Sequence, residues 1–193
     1  MLSALLGLLG ALVYGSFLEW ALHRYVMHTP KISKLAFKRH AVQHHAYRRA
    51  PGTFYIPTDE TFVYKLGEDS FMPVLWILHI PLYYVIGRYV SIGAGIGVAI
   101  GCGLYLVAYE LIHLYVHMPK NYRFQRTLLF RLLCEYHRVH HQKARKNYNV
   151  VLPLADLLLG TASFEEMTPE PSAPDFMPQD RGPAAVLQSW SAE

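Results

Sequence analysis

A chain of 193 residues has room for one domain and little for a second. Only 17% of its residues are charged, against a usual share of about a quarter, and 52% are hydrophobic. That balance excludes a surface that meets water on every side, and the net charge of +4, which is not gathered into a groove-binding patch, points to anionic lipid and not to nucleic acid.

In chain order, Leu2–Leu22 is apolar save for Ser3, Ser16 and Glu19, long enough for a helix across a hydrocarbon core of ~30 Å. It has no basic leader and no A-x-A cleavage site, so it reads as a retained helix. A second apolar run, 71–87, carries Pro73, His79 and Pro81 and is expected to be short and kinked. The third run, 89–115, has glycines at 93, 95, 97, 101 and 103 that leave room for close packing against another helix. No strand precedes these glycines and no Lys-Ser/Thr follows them, so they are not a phosphate loop. Residues 121–145 read as a cytoplasmic helix with a basic face, and 150–159 as a buried or interfacial helix too short to cross. From Thr168 onward, five prolines and no hydrophobic period predict a disordered tail, which divides the chain into a membrane domain, 1–167, and a tail, 168–193. Cys102 lies in an apolar run and Cys134 in a basic one, so a disulfide is not expected.

Basic residues orient the runs. Eight of them (Arg24, Lys31, Lys34, Lys38, Arg39, Arg48, Arg49 and Lys65) follow the first run and nine (Lys120, Arg123, Arg126, Arg131, Arg138, Lys143, Arg145, Lys146 and Arg181) follow the third. Arg88 stands alone between the second and third. With three crossings, seventeen of the eighteen fall on one side, which the positive-inside rule makes cytoplasmic, leaving the N-terminus outside.

Ten of the eleven histidines form four groups: His23 and His28; His40, His44 and His45; His113 and His117; and His137, His140 and His141. Two groups follow the first run and two the third, so the topology drawn from Lys and Arg alone brings all four to the cytoplasmic face. His113 and His117 share a helix face, as do His40 and His44, and His137 with His140 and His141 makes an i, i+3, i+4 set. His23 and His28 are roughly 140° apart on an α-helix, so a π-bulge near Met27 or a helix end at Thr29-Pro30 is needed, and His45 has the same difficulty relative to His40. One H-x-x-x-H is more often a surface or interfacial feature than a metal site, but four groups on one face are not. Ten imidazoles exceed one ion's needs and give about five donors to each of two, with iron, zinc and copper all acceptable to imidazole. His79, alone on an apolar run, reads as a packed or lipid-edge residue.

Glu19 precedes His23 by one turn, and Glu110 precedes His113 likewise. Each is placed to accept a hydrogen bond from a metal-bound imidazole, with Glu135, Asp156 and Asn147 as weaker candidates. Glu110-Leu-Ile-His113 matches the Glu-x-x-His of soluble di-iron bundles, but no second copy is present.

The ordered set H-x4-H, H-x3-HH, H-x3-H and H-x2-HH resembles the fatty acid hydroxylase/sterol desaturase superfamily of membrane non-haem di-iron proteins. Tyr136-His-Arg-Val-His-His141, Asn147-Tyr148-Asn149 and Asp156-Leu-Leu-Leu-Gly-Thr161 are similar to its C-terminal signature. The resemblance implies an all-α integral membrane bundle whose cytoplasmic helices hold two iron ions through the ten histidines, with zinc acceptable in purified samples. It further implies O₂-dependent hydroxylation or desaturation of a membrane lipid, with electrons from an external ferredoxin, cytochrome or reductase. Within that group the motifs look most like the fatty acyl 2-hydroxylases, and carotenoid hydroxylases and sterol desaturases are the alternatives. The twelve-residue gap from His28 to His40 favours acyl lipids. A channel for the lipid is expected between the first and third runs, with Phe17, Trp20 and Trp76 as walls.

Other classes fit less well. A b-type cytochrome places its axial histidines within the bilayer, a metal transporter needs more polar residues along its spans than Glu19, His79 and Glu110, and a zinc hydrolase usually carries H-E-x-x-H.

Overall fold

The computed structural model describes residues 1–55, 72–165, 170–171, 173–176 and 183, and among these every regular element is helical. Helix α1, Leu2–Leu22, runs directly into a π-turn, His23–Met27. Next come the short α2, Lys34–Phe37, a second π-turn, Lys38–His44, and α3, His45–Arg48. After the undescribed stretch come α4, Met72–Leu78, α5, Ile80–Tyr89, and α6, Ile92–His117. A 3₁₀ turn, Arg123–Arg126, precedes α7, Leu128–Gln142, and α8, Leu154–Leu158, closes the set.

Two stretches, Leu2–Met27 and Ile92–His117, are long and apolar enough to cross a membrane, each with 26 residues and mean hydropathies of 1.6 and 1.8. In hydrocarbon a backbone must bond within itself, so such runs fold as helices. The two pack in parallel, with Ala4 on Gly97, Ala11 on Gly101 and Gly15 on Tyr105. A side chain at Gly97 would meet the Ala4 carbonyl, which is why a glycine stands there. Parallel packing requires the chain to return between them. The α4–α5 pair does so along α6 in the opposite sense: the Trp76 indole donates to the Ala99 carbonyl at 2.9 Å, and Gly87 faces Gly95. The expected kink falls at His79, where Pro81 lacks the N–H that would continue α4 and instead occupies the first turn of α5.

Two expected elements are shorter than the sequence suggested. The helix drawn over 121–145 begins only at Leu128, because Asn121 takes a left-handed φ of 59° and Thr127 caps the Phe130 amide. Its basic face is also interrupted, since Arg138 is fully buried against Glu135. Of the helix drawn over 150–159 only Leu154–Leu158 forms. Side chains claim the amides before it: Asp156 accepts from Tyr148 and Asn149, and Glu19 from Val150. Residues 147–163 are therefore an irregular strap laid on α1. Ser16 Oγ donates to the Leu152 carbonyl, Asn149 Nδ2 to the Ser16 carbonyl, and the Trp20 indole to Thr161 Oγ1.

In the tail, Ala173 and Phe176 pack against a cluster of Phe54, Tyr55, Val116, Phe130 and Cys134, so this part is docked. Tail residues 168–169, 172, 177–182 and 184–193, and with them Lys65 and Phe71, lie outside the described residues. Both cysteines are buried and free.

Candidate metal centre

The ten grouped histidines meet at one end of the parallel pair and sort into two sets of five. One contains His23, His28, His40, His45 and His140, the other His44, His113, His117, His137 and His141, with ligand atoms inside each set within 4.8 Å of one another. The sets interleave the sequence motifs: the middle motif sends His40 and His45 one way and His44 the other, and the last motif sends His140 away from His137 and His141. The π-turns make this sorting work. An i+5 bond, from the His28 amide to the His23 carbonyl at 3.0 Å, closes the first turn, and the His45 amide bonds the His40 carbonyl likewise. Residues five apart thereby lie side by side, which answers the spacing that an α-helix cannot accommodate.

The Nε2 atoms face inward and nearly touch. His23 and His40 approach to 2.8 Å, His28 and His140 to 3.1 Å, and His40 and His45 to 3.2 Å. In the second set His44–His113, His117–His137 and His137–His141 lie at 3.2, 3.1 and 3.1 Å. Imidazole–metal bonds of about 2.1 Å at right angles would set neighbouring donors about 3.0 Å apart. Several outer nitrogens are tied to carbonyls: Nδ1 of His140 to Lys146 at 2.7 Å, of His117 to Phe54 at 3.0 Å, and of His23 to Tyr148. A carbonyl only accepts, so these Nδ1 atoms carry the proton and Nε2 offers a bare lone pair. The donor set and its spacing fit a pair of metal ions. The sets abut where the His45 and His141 rings stack at 4.3 Å.

Burial keeps the donors neutral. It lowers His28 to about 4, with Arg49 adding to the effect, and His45 to about 2, with neighbouring imidazoles adding. His40, His44, His137, His140 and His141 are held well below the ordinary imidazole range, first by burial and then by one another.

Glu19, Glu135 and Asp156 are engaged differently from the sequence reading. Glu19 accepts from Tyr105 Oη at 2.6 Å, Asn149 Nδ2 at 3.1 Å and the Val150 amide at 2.5 Å, and so reaches the metal end only through the strap that carries the Tyr148 carbonyl. Glu135 pairs with Arg138, and Asp156 also accepts from Thr161. Asn147, with a φ of 54°, bridges the Tyr136 and Ser163 carbonyls and accepts from the Ser163 amide. Glu110 is half-buried one turn before His113. The carbonyls of Phe54, Lys146 and Tyr148, which take the place proposed for carboxylates, have no side-chain signature in a sequence.

A partly open cavity begins beside His23 and runs between α1, α4, α5 and α6, its empty space of about 550 Å³ including the part that opens outward. Its middle is walled by Leu18, Leu22, Leu75, Trp76 and Leu106. Trp76 thus lines it as expected, whereas Trp20 turns to Thr161 and the ring of Tyr148, and Phe17 is also absent from the wall.

The model of the fatty acid hydroxylase family matches residues 8–161, a span that holds both sets of histidines and the cavity. The chain belongs to the fatty acid hydroxylase family. No curated protein and no solved structure matches it. Membership makes this fatty acid hydroxylase relative a membrane oxidoreductase of the hydroxylase/desaturase type, in keeping with its two apolar helices and its clustered histidines.

Proposed function

We propose that the protein hydroxylates a membrane lipid, with a fatty acyl chain as the oxidised group, at two iron ions held by the ten histidines. The observation that carries this reading is the division of ten buried or half-buried imidazoles into two sets of five, their Nε2 atoms facing at about 3 Å. Five donors leave one position open on each octahedral ion. Bound iron would supply the activation of O₂, one oxygen atom entering a C–H bond and the other leaving as water, with two electrons from a separate ferredoxin, cytochrome or reductase and two protons from solvent. His23 belongs to one set and also lines the cavity, so a chain lying there has its carbons beside the centre. Apolar walls exclude water from that chain, and the carbonyl-tied imidazoles hold their lone pairs inward without a change of proton. The basic residues after both apolar helices support a cytoplasmic centre, where such donors are met, and a C-terminus on the same side.

The test is expression of the chain and of His140→Ala in a host whose lipids are then profiled by mass spectrometry. Hydroxylated acyl lipids should accumulate with the parent chain and be lost with the variant, and bound metal should fall from about two per chain towards one. Unchanged hydroxylated lipids and unchanged metal in the variant would sink the reading.

A further inference from the structure

The end of the cavity remote from the histidines is polar. Tyr14, His79, Tyr83 and Cys102 line it, nine residues of α1 separating Tyr14 from His23, a distance of roughly 13 Å along the helix. The His79 ring is fixed. Its Nδ1 donates to the Leu75 carbonyl at 2.6 Å, which leaves Nε2 to accept from the Tyr14 hydroxyl at 2.7 Å. Tyr14 has spent its proton but keeps a lone pair on oxygen. Tyr83 stacks on His79 and is 9% exposed, yet among the described residues its hydroxyl makes no hydrogen bond of normal geometry, the Cys102 thiol, a weak partner at best, and the Tyr14 hydroxyl being the polar groups near it. A buried hydroxyl without a partner calls for one.

We propose that this end of the cavity recognises an uncharged oxygen group, a hydroxyl or an ester carbonyl, on the lipid whose C–H bond is oxidised beside His23. The clause about oxidation rests on the hydroxylase reading; the recognition does not. Tyr83 donates to the oxygen, and where the group is a hydroxyl its own proton goes to the oxygen of Tyr14. A carboxylate or phosphate is disfavoured because among the described residues no Lys or Arg lines the cavity, so the charge would be desolvated without a counterion. The one carboxylate in the wall, Glu19, is already committed to Tyr105, Asn149 and Val150. Between the two ends the wall is largely apolar, with Leu18, Leu22, Leu75, Trp76 and Leu106, and Glu19 and Tyr105 there are bonded to each other, so the lipid needs a hydrocarbon stretch between its oxygen group and the carbon attacked.

Equilibrium dialysis of the full chain in detergent against labelled hexadecanol, methyl palmitate, palmitate and hexadecane tests this. The alcohol and the ester should bind about five- to tenfold more tightly than the alkane, the yield of one buried hydrogen bond, and palmitate at pH 8 no more tightly than the alkane. Tyr83→Phe removes only that hydroxyl, so it should fold with an unchanged melting temperature, bind methyl palmitate no more tightly than hexadecane, and keep for hexadecanol at most the part owed to Tyr14. Equal binding of alcohol and alkane by the parent chain, a preference for palmitate, or an ester preference that survives undiminished in Tyr83→Phe each overturns the proposal, and the parent ranking decides alone if the variant does not fold. His140→Ala lies at the other end and should keep the ranking. A chain that keeps the ranking but oxidises no lipid refutes the hydroxylase reading and leaves this recognition standing.

Discussion

Glu19 sits on a largely apolar helix, and its two oxygens accept three hydrogen bonds from Tyr105, Asn149 and Val150. Asn149 and Val150 directly follow Tyr148, whose carbonyl accepts the hydrogen bond from His23 Nδ1. The carboxylate therefore positions an imidazole at one remove, through backbone. Glu19→Gln keeps the shape but sets an amide N–H₂ against donors whichever way it turns. A buried donor left facing a donor costs about 1–3 kcal/mol. The variant should melt measurably lower than the parent chain in detergent and retain less metal after gel filtration. Tyr105→Phe, which removes one donor and leaves the other two, should lose less. A Glu19→Gln protein with the parent's melting temperature and metal content would show that the strap does not hold His23.

At the scale of elements, the contact between α1 and α6 depends on residues without side chains. Gly97 meets the Ala4 carbonyl, whereas Gly10, also on α1, has nothing within 4 Å of where a Cβ would stand. Gly97→Val forces the helices apart at a cost of about 1–3 kcal/mol. Gly10→Ala should be neutral or stabilising by up to about 1 kcal/mol. Thermal unfolding of the two variants separates these outcomes, and equal melting temperatures would argue against a tight parallel pair. Much of this architecture was legible beforehand. Length and apolarity announced both long helices, the run of glycines announced the close face, and the five-residue gaps from His23 to His28 and from His40 to His45 demanded turns wider than an α-helix. What stayed hidden was long-range and carried by backbone. No local pattern tells that Ser16 and Glu19 will receive a strap more than 130 residues away, or that carbonyls at Phe54 and Lys146 will orient His117 and His140. Periodicity also overran the helices at 121–145 and 150–159, where an Asn in the left-handed region and side chains capturing amides stopped them.

For the whole molecule, gathering ten imidazoles under one roof makes stability depend on pH and on metal together. Outside the membrane-spanning helices, His28 is lowered to about 4, His45 to about 2, and His40, His44, His137, His140 and His141 well below the ordinary value. In the unfolded chain each titrates near 6.5, so below that pH the unfolded state binds more protons than the folded one. The contribution of neutral burial is therefore fully present above about 6.5 and is lost as pH falls towards 4, at up to ~1.4 kcal/mol per unit for each such group. Chelator-treated protein should melt at clearly lower temperature at pH 5.5 than at pH 7.5. Added Fe(II) or Zn(II) binds only the folded arrangement of deprotonated donors, so it should raise the melting temperature at pH 7.5 and raise it less at pH 5.5. Calorimetry across that range, with and without metal, measures both effects in one series. A melting temperature indifferent to pH would mean the rings are solvated, and one indifferent to metal at pH 7.5 would mean that the facing nitrogens do not close on an ion.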